Sequence, residues 1–143
     1  MAEFLVPGRQ TVNPGSPFVL ITSIACPKGY VIHREGSGIL TLRGITSGCN
    51  SFARYFVTYS GNIAVPTGQT PGEISIGMAI SGEPETGTIA RVTPAAVEEF
   101  FNVSSQRFIT VPKGCCFNLA IENTADIPVT GDEQLNVVVT RVA

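Results

Sequence analysis

Glu73-Ile74-Ser75-Ile76-Gly77-Met78-Ala79-Ile80-Ser81-Gly82-Glu83-Pro84-Glu85-Thr86-Gly87-Thr88-Ile89-Ala90-Arg91-Val92-Thr93 carries the clearest structural signal in the chain. Side chains of a strand alternate between its two faces. Ile74, Ile76, Met78 and Ile80 therefore share one face, and Ser75, Gly77, Ala79 and Ser81 share the other. One face is greasy and the other nearly bare, so a second layer or another subunit can approach the backbone closely. Gly82-Glu83-Pro84-Glu85 then turns the chain into a second strand around Thr86–Val92. The unit is hairpin-like and nothing in it is catalytic.

Outward from this hairpin, the same pattern recurs. Fifteen Gly and ten Pro punctuate 143 residues at short intervals, and the runs between them are rich in Val, Ile, Thr, Phe and Tyr. Short strands with frequent turn signals indicate an all-β sandwich or barrel. Residues 17–25 are apolar on both faces, as a strand held between two layers should be. Residues 51–59 set Phe52, Arg54, Phe56 and Thr58 against Ala53, Tyr55, Val57 and Tyr59, with large side chains on both faces. In the closing strand Leu135, Val137 and Val139 oppose Asn136, Val138, Thr140 and Val142. About eight to ten strands result, best arranged as an antiparallel two-sheet jelly roll with little helix. One or two helical turns are allowed at 94–101, where Thr93 can cap and Pro94 can open a helix, although the segment could equally stay extended.

The length suits one domain with a substantial core. Residues 1–16 read as an extended arm followed by a turn, and residues 17–143 as the jelly roll. Phe4, Leu5 and Val6 of the arm need cover, either as an edge strand of the same sheet or, with Arg9, by docking on a neighbouring protein. Charged residues make up only 14% of the chain, against a typical figure of about 25%. Much of the surface is therefore neutral, or covered by a partner. The net charge is −2 and the nine Lys and Arg are scattered, which argues against nucleic-acid binding. No apolar run is long enough to span a bilayer, and the N-terminus lacks the pattern of a signal peptide. The expectation is synthesis in the cytosol without membrane insertion.

Catalysis has few candidates. His33-Arg34-Glu35-Gly36-Ser37-Gly38 has the densest mix of ionisable and hydroxyl groups, yet it lacks the Gly-x-Ser-x-Gly elbow spacing and reads as a polar hairpin loop. Glu98 and Glu99 are adjacent, which points neighbouring carboxylates apart rather than at one substrate. With one His in the chain and no C-x-x-C pair, a metal site finds few ligands, and no cofactor is expected. Cys26, Cys49, Cys115 and Cys116 read as small hydrophobes, with Cys115 on the core face of its strand and Cys116 on the other. Their redox state is left open.

The order of parts from Gly72 onward resembles the C-terminal half of the C1q/tumour-necrosis-factor-like jelly-roll superfamily, especially its bacterial and phage members. The residues that carry the resemblance are the small-residue strand Ile74–Ser81 with Gly82-Glu83-Pro84, Val103-Ser104-Ser105 before Phe108–Val111, the turn Pro112-Lys113-Gly114 into Cys115–Ile121, and Leu135–Val142. His33–Ile39 also resembles a segment of small proteins encoded by gut bacteria and their phages. The resemblance implies a homotrimer with small and aromatic residues at the seam, here Ser75, Gly77, Ala79, Ser81, Tyr55 and Tyr59. It implies a non-enzymatic virion protein, a decoration or head-fibre protein docked on the major capsid protein through Phe4, Leu5, Val6 and Arg9. On this reading it stabilises the shell or attaches to host or mucosal glycans, and its partner could be another virion protein; the alternative is a carbohydrate- or receptor-binding module of a bacterial cell or spore surface. The collagen-like Gly-X-Y stalk of many such proteins is missing from this sequence.

Overall fold

Alternating side chains can bury one face of a sheet only against another layer, and the chain does so with two antiparallel sheets. The computed structural model describes residues 1–24 and 29–142. Its strands are β1 (Ala2–Leu5), β2 (Gln10–Val12), β3 (Ile21–Ile24), β4 (Val31–His33), β5 (Leu40–Arg43), β6 (Phe52–Ala64), β7 (Ile74–Ile80), β8 (Glu83–Pro84), β9 (Ala90–Val92), β10 (Phe101–Pro112), β11 (Cys116–Asn123), β12 (Val129–Gly131) and β13 (Asn136–Arg141). The large sheet runs β2-β12-β6-β13-β1-β3, with β10 along the other side of β6; the small sheet runs β4-β5-β11-β7-β8, with β9 also on β7. This is an all-β jelly roll. No α-helix forms among the described residues.

The parity read from the sequence places the core. Tyr55, Val57, Tyr59, Val137 and Val139 of the large sheet face Leu40, Leu42, Ile74, Ile76, Met78, Leu119 and Ile121 of the small one, all buried. Two phenols join the layers. The Tyr55 hydroxyl donates to the Arg43 carbonyl at 2.6 Å, and the Tyr59 hydroxyl donates to the carbonyls of Ile76 and Thr88. A buried phenol needs such partners, because an unmet hydroxyl in the core is costly. Burial pushes the Tyr59 hydroxyl pKa well above its usual range.

Residues 1–16 are not a free arm. They supply β1 and β2 to the large sheet: β1 lies between β13 and β3, with Ala2 opposite Val139 and Phe4 opposite Val137. Phe4 and Val6 are buried, and Phe4 meets the His33 ring edge-on at 5.1 Å. The segment after Thr93 forms no helical turns and stays irregular. Glu98 sits there at φ 58°, in the left-handed region, with its N–H on the Val65 carbonyl.

The bare face of β7 is partly filled from within the chain. Gly77 lies beneath Ile89: a Cβ there would stand 2.9 Å from Ile89 Cγ1 and 3.3 Å from its Cα. Thr88, wholly buried, fixes that segment by accepting the Met78 N–H at 3.0 Å and donating to the Glu85 carbonyl at 2.7 Å. Gly77→Val should therefore destabilise the single chain by about 2 kcal/mol through overpacking. Chemical denaturation of a dilute sample checks this, and an unchanged midpoint would contradict it.

Candidate functional site

The polar loop between β4 and β5 holds an ordered cluster. The His33 ring is almost wholly buried, with Nε2 donating to the Ser37 carbonyl at 2.8 Å and Nδ1 2.8 Å from the Thr22 hydroxyl. The Ser37 hydroxyl turns away and accepts the Ile39 N–H at 3.0 Å. His, Glu and Ser therefore form a structural clasp between the loop and β3, without the nucleophile-to-base contact of a triad. Glu35 completes the clasp by accepting the Thr22 N–H at 3.0 Å. Hydrogen bonding from Thr22, with a smaller share from His33, holds the Glu35 carboxyl below its ordinary range. A depressed carboxylate stabilises the fold fully above its unfolded pKa of about 4.3, and that contribution is lost as pH falls through the lower folded value. The melting temperature of the parent should exceed that of Glu35→Gln at pH 6, with the gap closing below about pH 4. A gap that widened toward acid would refute the sign.

The cysteines depart from expectation. Cys49, Cys115 and Cys116 are all exposed, while Cys26 lies outside the described residues. Alternation assigns Cys115 to the core, but the turn at Gly114, φ 80°, runs through Cys115 and the strand begins only at Cys116. Gly44 N–H donates to the Cys115 carbonyl at 2.8 Å, which brings the 44–51 loop and this turn to one end of the sandwich. Among the described residues no group of three His, Cys, Asp or Glu side chains converges on a metal position. No helix of the described residues is long and apolar enough to cross a membrane.

The residues expected at a subunit seam are separated by the structure. Tyr55 and Tyr59 are wholly buried in the core, because inward parity and two carbonyl partners hold them there. Gly77 is covered by Ile89, and Ser75 is buried with its hydroxyl 2.6 Å from that of Thr124. Only Ala79 and Ser81 remain beside open space. Of the expected docking residues, Phe4 and Val6 are core and Leu5 is half-buried within β1. Arg9 is exposed, paired with Glu98 at 3.1 Å and set over the Phe100 ring at 5.0 Å.

Two outer faces stay open. On the large sheet, Phe56 and Phe108 stand directly opposite on β6 and β10, ring centroids 5.0 Å apart, and Phe108 is 58% exposed. Phe52, 38% exposed, lies on the same face under Arg54. The neighbouring outward residues Thr58, Ser60, Ser104, Gln106, Val138 and Thr140 are uncharged, while Arg54 on the same face and Glu3 opposite Val138 are charged. Beyond them β10 ends the sheet as a twelve-residue edge strand, paired among the described residues with β6 alone. On the small sheet, Ala79 of β7 and Ser81 in the turn after it, Asn118, Ala120 and Glu122 of β11, and Pro17 and Ile39 line a groove of about 280 Å³. Parity within β6 separates Phe56 from the inward tyrosines, but nothing local shows that β10 sets Phe108 beside it. Glu122 gives no signal at all in the sequence.

One solved structure, that of Eiger TNF from S. frugiperda, superposes on 99% of this chain and 91% of its own, with a TM-score of 0.68 and 15% sequence identity. The fold is the TNF-like jelly roll. At that identity the likeness extends to the fold alone. No family model matches the chain, and no curated protein is similar to it in sequence.

Proposed function

We propose that the chain is a non-enzymatic structural protein that works as a homotrimer and decorates a phage capsid surface, stabilising the shell or mediating attachment. The observation that carries the assembly is the aromatic, sparsely charged outer face of β6, β10 and β13, where Arg54 stands among mostly uncharged residues. Burying the Phe56–Phe108 pair removes apolar area that a monomer leaves in water. TNF-like jelly rolls commonly form homotrimers. The seam thus moves from the bare face of β7 to the opposite side of the sandwich. The virion placement is supported by the likeness of 33–39 and 72–143 to segments of bacterial and phage proteins. Purified particles should carry the chain at a fixed ratio to the major capsid protein through a density gradient. Its loss from banded particles would overturn the virion reading.

A second reading is favoured by the groove on the small sheet, which leaves the chain a surface for a carbohydrate or receptor, as on a bacterial cell or spore. On that reading the trimer is a multivalent binding module.

A further inference from the structure

Glu122 is the one titratable residue in the lining of the small-sheet groove, and its carboxylate has neither an ion pair nor a hydrogen bond among the described residues. Burial against the groove wall pushes its pKa up. A half-buried carboxylate that has given up part of its hydration without gaining a partner can accept a cation. The floor between it and Asn118 is flat because Ala79 and Ala120 stand opposite each other on β7 and β11. Asn118 Oδ1 accepts the Thr41 hydroxyl at 3.2 Å, leaving the amide nitrogen as a free donor, and the Ser81 hydroxyl is likewise unengaged. Pro17 and Ile39, the latter 45% exposed, add apolar surface. Few polar groups around a small apolar floor is the general form of a small-molecule site.

The geometry points to this groove as a binding site for an amine-bearing saccharide, its ammonium on Glu122 and its hydroxyls on Asn118 and Ser81. A sugar ring presents C–H groups on one face and hydroxyls at its rim, which suits a floor of two alanines edged by an amide and a hydroxyl. The volume of about 280 Å³ holds one or two rings. The site rests on the binding-module reading and not on the virion placement. It lies on the opposite side of the sandwich from the proposed seam, so a trimer would expose three copies, and weak single contacts would add by avidity.

Calorimetric titration of the full chain with glucosamine, glucose and free lysine tests this. Glucosamine should bind saturably in the millimolar range, with glucose and lysine each at least about tenfold weaker, since each lacks one half of the recognition. Glu122→Gln should weaken glucosamine about tenfold or more while leaving glucose unchanged, the size expected for losing one charge-assisted hydrogen bond. Ala120→Leu, which fills the floor, should abolish both. If that variant does not fold, the Glu122→Gln comparison decides alone. No saturable glucosamine binding, equal binding of glucose or of lysine, or an unchanged Glu122→Gln variant would each overturn the site. A trimer that binds no glucosamine removes the groove and leaves the seam, whereas a monomer that binds it does the reverse.

Discussion

Gly61→Val should destabilise the chain strongly, by about 3 kcal/mol. Gly61 lies toward the end of β6, and a Cβ there would meet Leu135 at 2.6 Å from Cδ1, 2.7 Å from Cα and 2.9 Å from Cβ. The Leu135 Cα belongs to the backbone, so no change of rotamer relieves the clash, and Leu135 is itself fully buried at the entry to β13. Moving Leu135 shifts the register that pairs Asn136 with Ser60 and Val139 with Val57, the centre of the large sheet. Overpacking that forces off-rotamer side chains and backbone shifts costs about 1 to 3 kcal/mol, and a clash with the Leu135 backbone falls at the upper end. Against a typical total of about 5 to 15 kcal/mol, that removes a large share of the margin. Urea unfolding followed by circular dichroism checks this, and a folded Gly61→Val protein with the parent's midpoint would refute the packing described for β6 and β13.

Pairing Phe56→Asp with Phe108→Asp should turn the proposed trimer into a folded monomer. Both rings point outward, so the substitutions remove no core contact, and the parent's secondary structure should persist. At a seam they would place carboxylates from adjoining copies against each other in an apolar setting. Aromatic anchors at interface centres are worth about 2 kcal/mol or more each, so dissociation should strengthen by at least roughly 10²-fold. Sedimentation over a concentration series reads the change. An unchanged association constant would show that this face is not the seam.

Much of the fold is legible in the sequence because parity within one strand depends only on spacing. Ala53, Tyr55, Val57 and Tyr59 share one face, as do Ile74, Ile76 and Met78, once the turn residues mark where each strand begins. Faces can be assigned locally; what covers them cannot. Gly77 reads as a gap for a neighbouring subunit because its cover, Ile89, arrives only when β9 folds back on β7. Tyr55 and Tyr59 read as contact residues because their rings are large and polar-tipped, and only the opposing carbonyls reveal them as ties across the core. The first strand reads as an arm for the same reason: its partner, β13, lies at the far end of the chain. The groove needs β7, β11, Pro17 and Ile39 together, four separate parts of the sequence, so Glu122 carries no signal in its own neighbourhood. Long-range pairing, rather than local propensity, is what the sequence leaves unstated.

The mass of the native assembly in solution decides between a trimer built on the Phe56–Phe108 face and a lone sandwich. Sedimentation equilibrium at micromolar concentration should return three times the chain mass of 15.1 kDa, and a single-chain mass for Phe56→Asp with Phe108→Asp. A parent protein that remains at 15.1 kDa across that range would contradict the trimer and the seam assigned to it.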